Sequence, residues 1–254
     1  MARYFMELAY KGTNYHGWQI QSNGISVQEE LEKALTTILN EGVAVTGAGR
    51  TDAGVHAKYM VAHFDLSEEL QEPKRLAVQL AGFLPPDITV YSVKKVSDEA
   101  HARFDAIARK YEYHITIGKN PFTRNLATRI NFQLNFDAMN RAAASLMASE
   151  DFTSFSKLHS GAKTNLCSVT SAFWEQRGDR WVFTIQANRF LRDMVRAIVG
   201  TLLDVGRGKL SLKEFVEIIE LKDRGKAGRS VPSEGLYLVD VLYPQELFTK
   251  TELL

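Results

Sequence analysis

A chain of 254 residues with 45% apolar content can bury a sizeable core, as one large domain or as two fused halves. Its 31 Lys and Arg against 30 Asp and Glu leave a net charge of +1, which by itself argues neither for nor against nucleic acid. No apolar run reaches the roughly 18 residues of a membrane span and no signal-peptide core follows Met1. The single cysteine, Cys167, excludes an intrachain disulfide, so a soluble cytoplasmic protein is expected, with Cys167 a small buried hydrophobe.

Residues 3–10 alternate Tyr4, Met6, Leu8 and Tyr10 against Arg3, Phe5 and Glu7, the period of a strand. Residues 11–19 form a loop with glycines and aromatics, a type that either stacks on a base or covers a core edge. Ser26-Val27-Gln28-Glu29 is a capping box, and Val27, Leu31, Ala34, Leu35 and Ile38 continue at helical spacing to Asn40. Strands over 43–46 and 58–64 flank a glycine-rich stretch; Pro73 starts a helix reaching Phe83, and 88–96 is a strand. Residues 110–117 alternate again, Asp137 caps a helix to Met147, and strands over 166–174 and 181–188 flank the turn Arg177-Gly178-Asp179-Arg180. Phe190, Met194, Ile198 and Leu202 mark a further helix, Ser211-Leu212-Lys213-Glu214 caps another to Leu221, and 236–243 closes as a strand.

The order β-α-β-β-α-β thus occurs twice. It predicts an α+β fold of two pseudo-twofold-related ferredoxin-like halves that share an extended antiparallel sheet, with a central cleft at their seam. The boundary is placed near Phe104: residues 1–104 carry the loop around Asp52, and 105–254 carry a basic helix and the closing strand.

The stretch 47–57 packs Gly47, Gly49, Gly54, Arg50 and Asp52 between two apolar runs. Three glycines allow positive φ and close approach to a ligand, which Arg50 and Asp52 would meet. A dinucleotide fingerprint is excluded, because Asp52 stands where its third glycine belongs and a strand-like run follows instead of a helix. No Gly-Lys-Ser/Thr occurs, which excludes a P-loop. Turn chemistry taken by itself fits a hairpin turn with a surface Arg50–Asp52 pair.

Histidines 16, 56, 63, 101, 114 and 159 show no metal-ligand spacing, so no metal is expected, and no Gly-x-Ser-x-Gly elbow supports a serine nucleophile. Arg189, Arg192 and Arg196 stand at helical spacing opposite Phe190, Met194 and Ile198. Between 101 and 131, six Lys and Arg (103, 109, 110, 119, 124 and 129) face two acids, and between 177 and 229 twelve face seven. Such asymmetry suits one phosphate-facing side or an ordinary solvated surface.

Residues 49–57, Gly-Arg-Thr-Asp-Ala-Gly-Val-His-Ala, resemble the nucleophile loop of the tRNA pseudouridine synthase A family. Four further segments are similar to that family's motifs. Tyr10-x-Gly12-Thr13-x-Tyr15-x-Gly17-Trp18-Gln19 resembles its opening signature, with Lys11 in place of an acidic residue. Ala108-Arg109-Lys110-Tyr111-Glu112-Tyr113, preceded by His101-Ala102-Arg103-Phe104, resembles its Arg-x-Tyr strand. Phe190-x-x-x-Met194-Val195-Arg196-x-Ile198-Val199-Gly200 and Glu234-Gly235-Leu236-Tyr237-Leu238 resemble its arginine helix and closing strand.

The resemblance implies isomerisation of uridine to pseudouridine in the tRNA anticodon stem-loop, at expected positions 38, 39 and 40. It implies a homodimer with an RNA-binding cleft and no cofactor, no membrane partner and no DNA. Asp52 is implied as the nucleophile, Arg196 as the partner that keeps it ionised, Tyr111 as the ring against the target base, and Leu236 and Leu238 as pocket walls. Arg50, two residues from Asp52, is placed to hold open the stack from which the uridine is flipped. The isomerisation breaks C1′–N1 and joins C5 to C1′, so a carboxylate suffices, with attack at C1′, attack at C6 and a glycal route all open. Two rivals remain: an inactive tRNA-binding chaperone of the same fold, and a hydrolase using Asp52 and His56 as acid and base.

Overall fold

In the computed structural model, which describes residues 1–157, 161 and 163–248, the chain divides into two compact units. One comprises Met1–Ile107 and the segment beginning at Leu238; the other is Ala108–Tyr237.

The first unit runs β1 (Ala2–Tyr10), α1 (Val27–Leu39), β2 (Val45–Gly47), β3 (His56–Leu66), α2 (Pro73–Phe83) and β4 (Ile88–Lys95). Strand β1 lies antiparallel between β3 and β4, pairing Tyr4 with both Phe64 and Lys95, and β2 adds to β3. The alternation in β1 buries Tyr4, Met6 and Leu8, but Phe5 on the opposite face is buried as well. Rings of His63, Tyr243 and Phe248 cover it, so both faces of this strand are apolar there. Ser26 caps α1 by accepting the Glu29 N–H at 3.2 Å, and Asn40 ends the helix in the left-handed conformation, φ 55°.

The closing strand, β9 (Leu236–Leu242), returns beside β3. Leu242 accepts the Ile107 N–H at 2.8 Å and the Tyr243 hydroxyl donates to the Ala102 carbonyl. From Leu238 on, the chain therefore groups with the first unit, whereas the sequence reading assigned all of 105–254 to the second half.

The second unit contains β5 (Ala108–Ile117), β6 (Thr128–Ile130), α3 (Phe136–Ser145), β7 (Val169–Arg177), β8 (Arg180–Ala187), α4 (Met194–Gly206) and α5 (Leu212–Leu221). Its strands run β5-β8-β7 antiparallel, with the short β6 parallel to β5. The β7–β8 hairpin turns at Gly178, φ +62°. Three element starts in this unit show why local signals mislead. The α3 cap is Asn135, whose side chain accepts the Ala138 N–H at 2.9 Å, and Asp137 lies inside the first turn. Strand β7 begins at Val169, because Leu166 instead bridges Asp151. Helix α4 begins at Met194, four residues after Phe190. With five α-helices and both strand senses among the described residues, the chain is α+β.

Candidate active site

The loop carrying Asp52 is built from the backbone outward. Asp52 O accepts the Val55 N–H at 3.2 Å, closing a turn in which Gly54 takes φ +79°, a conformation that favours glycine. Thr51 O accepts the Trp18 N–H at 3.1 Å, the Thr51 hydroxyl meets the Tyr10 hydroxyl at 2.8 Å, and Gly54 N–H donates to Tyr15 O at 3.3 Å. Asp52 is thereby fixed on both sides by segment 10–18. That segment approaches so closely at Gly17 (φ +92°) that a Cβ there would stand 2.5 Å from Thr51 O. Of the three loop glycines, Gly54 has positive φ; Gly47 instead makes room for the Trp18 ring, and a Cβ at Gly49 would meet nothing within 4 Å. Tyr15 and Trp18 are buried, 6% and 3% exposed, so the aromatics of 11–19 brace the loop and cover a core edge. His56 is buried, and its Nδ1 accepts the Gly12 N–H at 3.0 Å.

Arg196 is held differently. It lies in the first turn of α4, the end where the helix dipole disfavours a cation, and two acceptors offset this. Its Nε donates to Val231 O at 2.7 Å and its Nη1 stands 3.2 Å from Asp193 Oδ1, while Val231 N–H returns a bond to Arg196 O at 3.2 Å. Asp193 precedes the helix in the left-handed conformation, φ 67°, and its other oxygen accepts from the Ser230 hydroxyl with Arg224 Nη2 at 3.9 Å. Arg189 and Arg192 therefore stand before the helix, not on successive turns of it. Phe190, also outside, meets Tyr111 edge-on, ring centroids 5.1 Å apart.

A family model described as tRNA pseudouridine synthase matches residues 8–105 and 142–244, spans that include the Asp52 loop and the Arg196 helix. The chain is 59% identical over 247 residues to the tRNA pseudouridine synthase A of Bacteroides fragilis, covering 97% of this chain and 98% of the relative. It is 56% identical to that of Bacteroides thetaiotaomicron, covering 98% and 94%. Its identity to the synthase A of Thermoanaerobacter sp. strain X514 is 41%, covering 96% and 100%. The chain belongs to the tRNA pseudouridine synthase A family. It is accordingly an isomerase.

The remaining residues that the resemblance to synthase A marked fall in both units. Arg50 is exposed in the Asp52 loop, and Leu238 is buried where the first unit resumes. Tyr111 and Leu236 belong to the second. Tyr111 is half-buried, whereas Tyr113, two residues on, is fully buried; it donates to Pro232 O at 2.8 Å and shares a 2.6 Å bond with the Thr128 hydroxyl. Burial pushes the Tyr113 phenol well above its ordinary range, so it stays a donor. Burial likewise raises the Cys167 thiol to about 11, which leaves it unreactive. Among the described residues no group of three or more His, Cys, Asp or Glu is placed to hold a metal ion, and His159 lies outside them. No described helix is long and apolar enough to cross a membrane. Sequence reasoning missed Asp193, Ser230 and Arg224; a short polar residue just before a helical stripe was the available signal for a special backbone position.

Proposed function

We propose that the chain converts uridine to pseudouridine in the tRNA anticodon stem-loop, with Asp52 as nucleophile. The supporting observation is a carboxylate whose neighbours on both sides are pinned by backbone hydrogen bonds, a preorganisation that lets a reacting group keep its aim without reordering the chain. The family resemblance makes Arg196 the arginine that serves Asp52 in the reaction. Arg50 occupies the stack as the target nucleotide leaves it, Tyr111 lies against the base, and Leu236 and Leu238 wall the pocket. Exposed Lys and Arg from the two basic stretches hold phosphates, giving affinity governed by charge and shape.

Resemblance to the family supports three further parts of this reading: a pseudo-twofold ferredoxin-like relation between halves around an RNA cleft, a homodimer, and work in the cytoplasm, where the tRNA is. The chemistry moves one C–N bond to C–C within a single nucleotide and calls for no cofactor. The test is release of tritium from tRNA labelled at uridine C5, in the presence of chelator. Release at sites that map to the anticodon stem-loop is expected. Binding without release would leave a tRNA chaperone, and turnover confined to a non-RNA substrate would favour a hydrolase.

A further inference from the structure

Residues 118–127, between β5 and β6, fall in the stretch 106–141 that the family model does not match. They form a built loop. Asn120 Oδ1 accepts the Phe122 N–H at 2.9 Å and its Nδ2 donates to Asp179 at 2.6 Å. Thr123 is buried, its hydroxyl donates to Asn120 O at 3.0 Å, and its carbonyl accepts the N–H groups of Leu126 and Ala127 at 2.9 and 3.0 Å. Leu126 O in turn accepts the Tyr237 hydroxyl at 2.6 Å. On this frame the side chain of Phe122 stands 88% exposed. Lys119 and Arg124 in the loop and Arg129 beyond it in β6 are exposed, and the nearby acid, Asp179, is engaged by Asn120 and lies 3.9 Å from Arg180.

A rigid loop that presents a solvated aromatic ring among cations has the composition that binds unpaired nucleic acid: a face for a base and charges for the flanking phosphates. The loop is joined to the Arg196 end of the second unit, since Thr128 bonds Tyr113, Tyr113 bonds Pro232 O, and the adjacent Val231 holds Arg196. Gly118 follows the end of β5, seven residues from Tyr111, roughly 23 Å of extended chain. That is too far to meet the nucleotide at Tyr111, yet within the span of a folded stem-loop.

We propose that Phe122 is a stacking platform for a second, unpaired base of the RNA substrate, with Lys119 and Arg124 on the neighbouring phosphates. The proposal rests on the tRNA reading above. RNA is favoured over a second copy of the chain because a twofold contact at Phe122 would bring the like charges of Lys119 and Arg124 together.

The test compares Phe122→Ala and Phe122→Trp with the wild type for equilibrium binding of unmodified tRNA, with thermal unfolding and sedimentation in parallel. Phe122→Ala is expected to unfold like the wild type and to weaken binding about tenfold, and Phe122→Trp to restore it. Lys119→Ala and Arg124→Ala should each lower the slope of log affinity against log salt by about one, whereas Phe122→Ala leaves that slope unchanged. Wild-type affinity in Phe122→Ala, or a changed oligomeric state with unchanged affinity per site, overturns the proposal. Failure of the wild type to form pseudouridine would instead strike the reading on which the proposal rests.

Discussion

Asp52 and Arg196 are held in opposite ways. The aspartate sits in a loop whose neighbours on either side are fixed by main-chain bonds from segment 10–18, at a separation small enough to require Gly17. The arginine sits at the start of a helix and is aimed by side chains and one carbonyl: Asp193, itself tied to Ser230 and Arg224, and Val231. Backbone bracing is spread over several bonds, so one side chain in it can be changed while the loop keeps its form. A side-chain network places its geometry in the residues themselves. The first arrangement should thus be sensitive to shape at its glycines, and the second to chemistry at its carboxylate.

The largest effect is expected where chemistry alone is removed from the backbone-held loop. Asp52→Asn matches the carboxylate in shape, so folding and tRNA binding should persist while pseudouridine formation falls by on the order of 10⁴-fold or more. Substantial residual turnover in a folded variant, with deamidation excluded by mass spectrometry, would remove Asp52 from the mechanism. Next comes shape. Gly17→Ala forces a non-glycine residue to φ +92° with its Cβ 2.5 Å from Thr51 O, for a cost of about 1–3 kcal/mol in urea unfolding. The displaced loop should lower turnover about 100-fold. Gly49→Ala, in open space at the same loop, should leave stability within about 0.5 kcal/mol. Equal losses at both glycines would mean that bracing by segment 10–18 does not set the loop.

How much of this was legible beforehand follows the same division. Helix α2 spans residues 73–83 as expected, because its start is a proline, and the capping box of Ser211 and Glu214 is formed on both sides. These are local signals, written within a few residues. The nine-residue stretch around Asp52 was legible as a working loop for a similar reason, since its glycines and charged residues are adjacent. That the opening signature around Gly17 is the brace of that loop was not, because the two are brought together only by folding. Nor did periodicity reveal that Arg189 and Arg192 precede α4. Phe190 continues the apolar stripe at helical spacing, but does so by packing on Tyr111 from outside the helix. The burial of Phe5 and the return of β9 to the first unit are tertiary facts as well.

A smaller effect tests the side-chain-held half. Asp193→Ala loses one partner of Arg196 and places alanine in the left-handed region, about 1–2 kcal/mol of strain. Turnover should fall about tenfold. Asp193→Asn tolerates that conformation and keeps an acceptor, so denaturant midpoints should recover most of the stability and turnover should return to within a few-fold. Wild-type turnover in both variants would show that Arg196 is aimed by Val231 without Asp193.

The smallest effect asks whether the first unit is held by its backbone throughout. Strand β3, which leaves the Asp52 loop, carries buried His63, whose Nδ1 accepts the Ala102 N–H at 3.1 Å. Burial, then His101 and Arg3, hold its pKa at about 4, while Asp65 and Asp105 oppose the shift. Unfolded, the imidazole titrates near its ordinary value of 6.5. Between these values the unfolded chain binds a proton that the folded chain refuses, so stability falls as pH drops from 6.5 and levels off below about 4. Allowing for solvent near the ring, the loss is roughly 2 kcal/mol. Asp65, whose carboxyl is held below its ordinary 3.8 by the Arg3 pair at 2.7 Å, contributes its own loss only at lower pH, which separates the two windows. His63→Asn keeps an acceptor for Ala102 without a proton to gain. Urea midpoints at pH 7, 5.5 and 4.5 should converge in that variant relative to the wild type. Turnover per folded molecule should be unmoved, because the bonds that fix Thr51 and Gly54 contain no titrating group in this range. An acid loss of the same size in His63→Asn would return the whole first unit to its backbone and place the titration elsewhere.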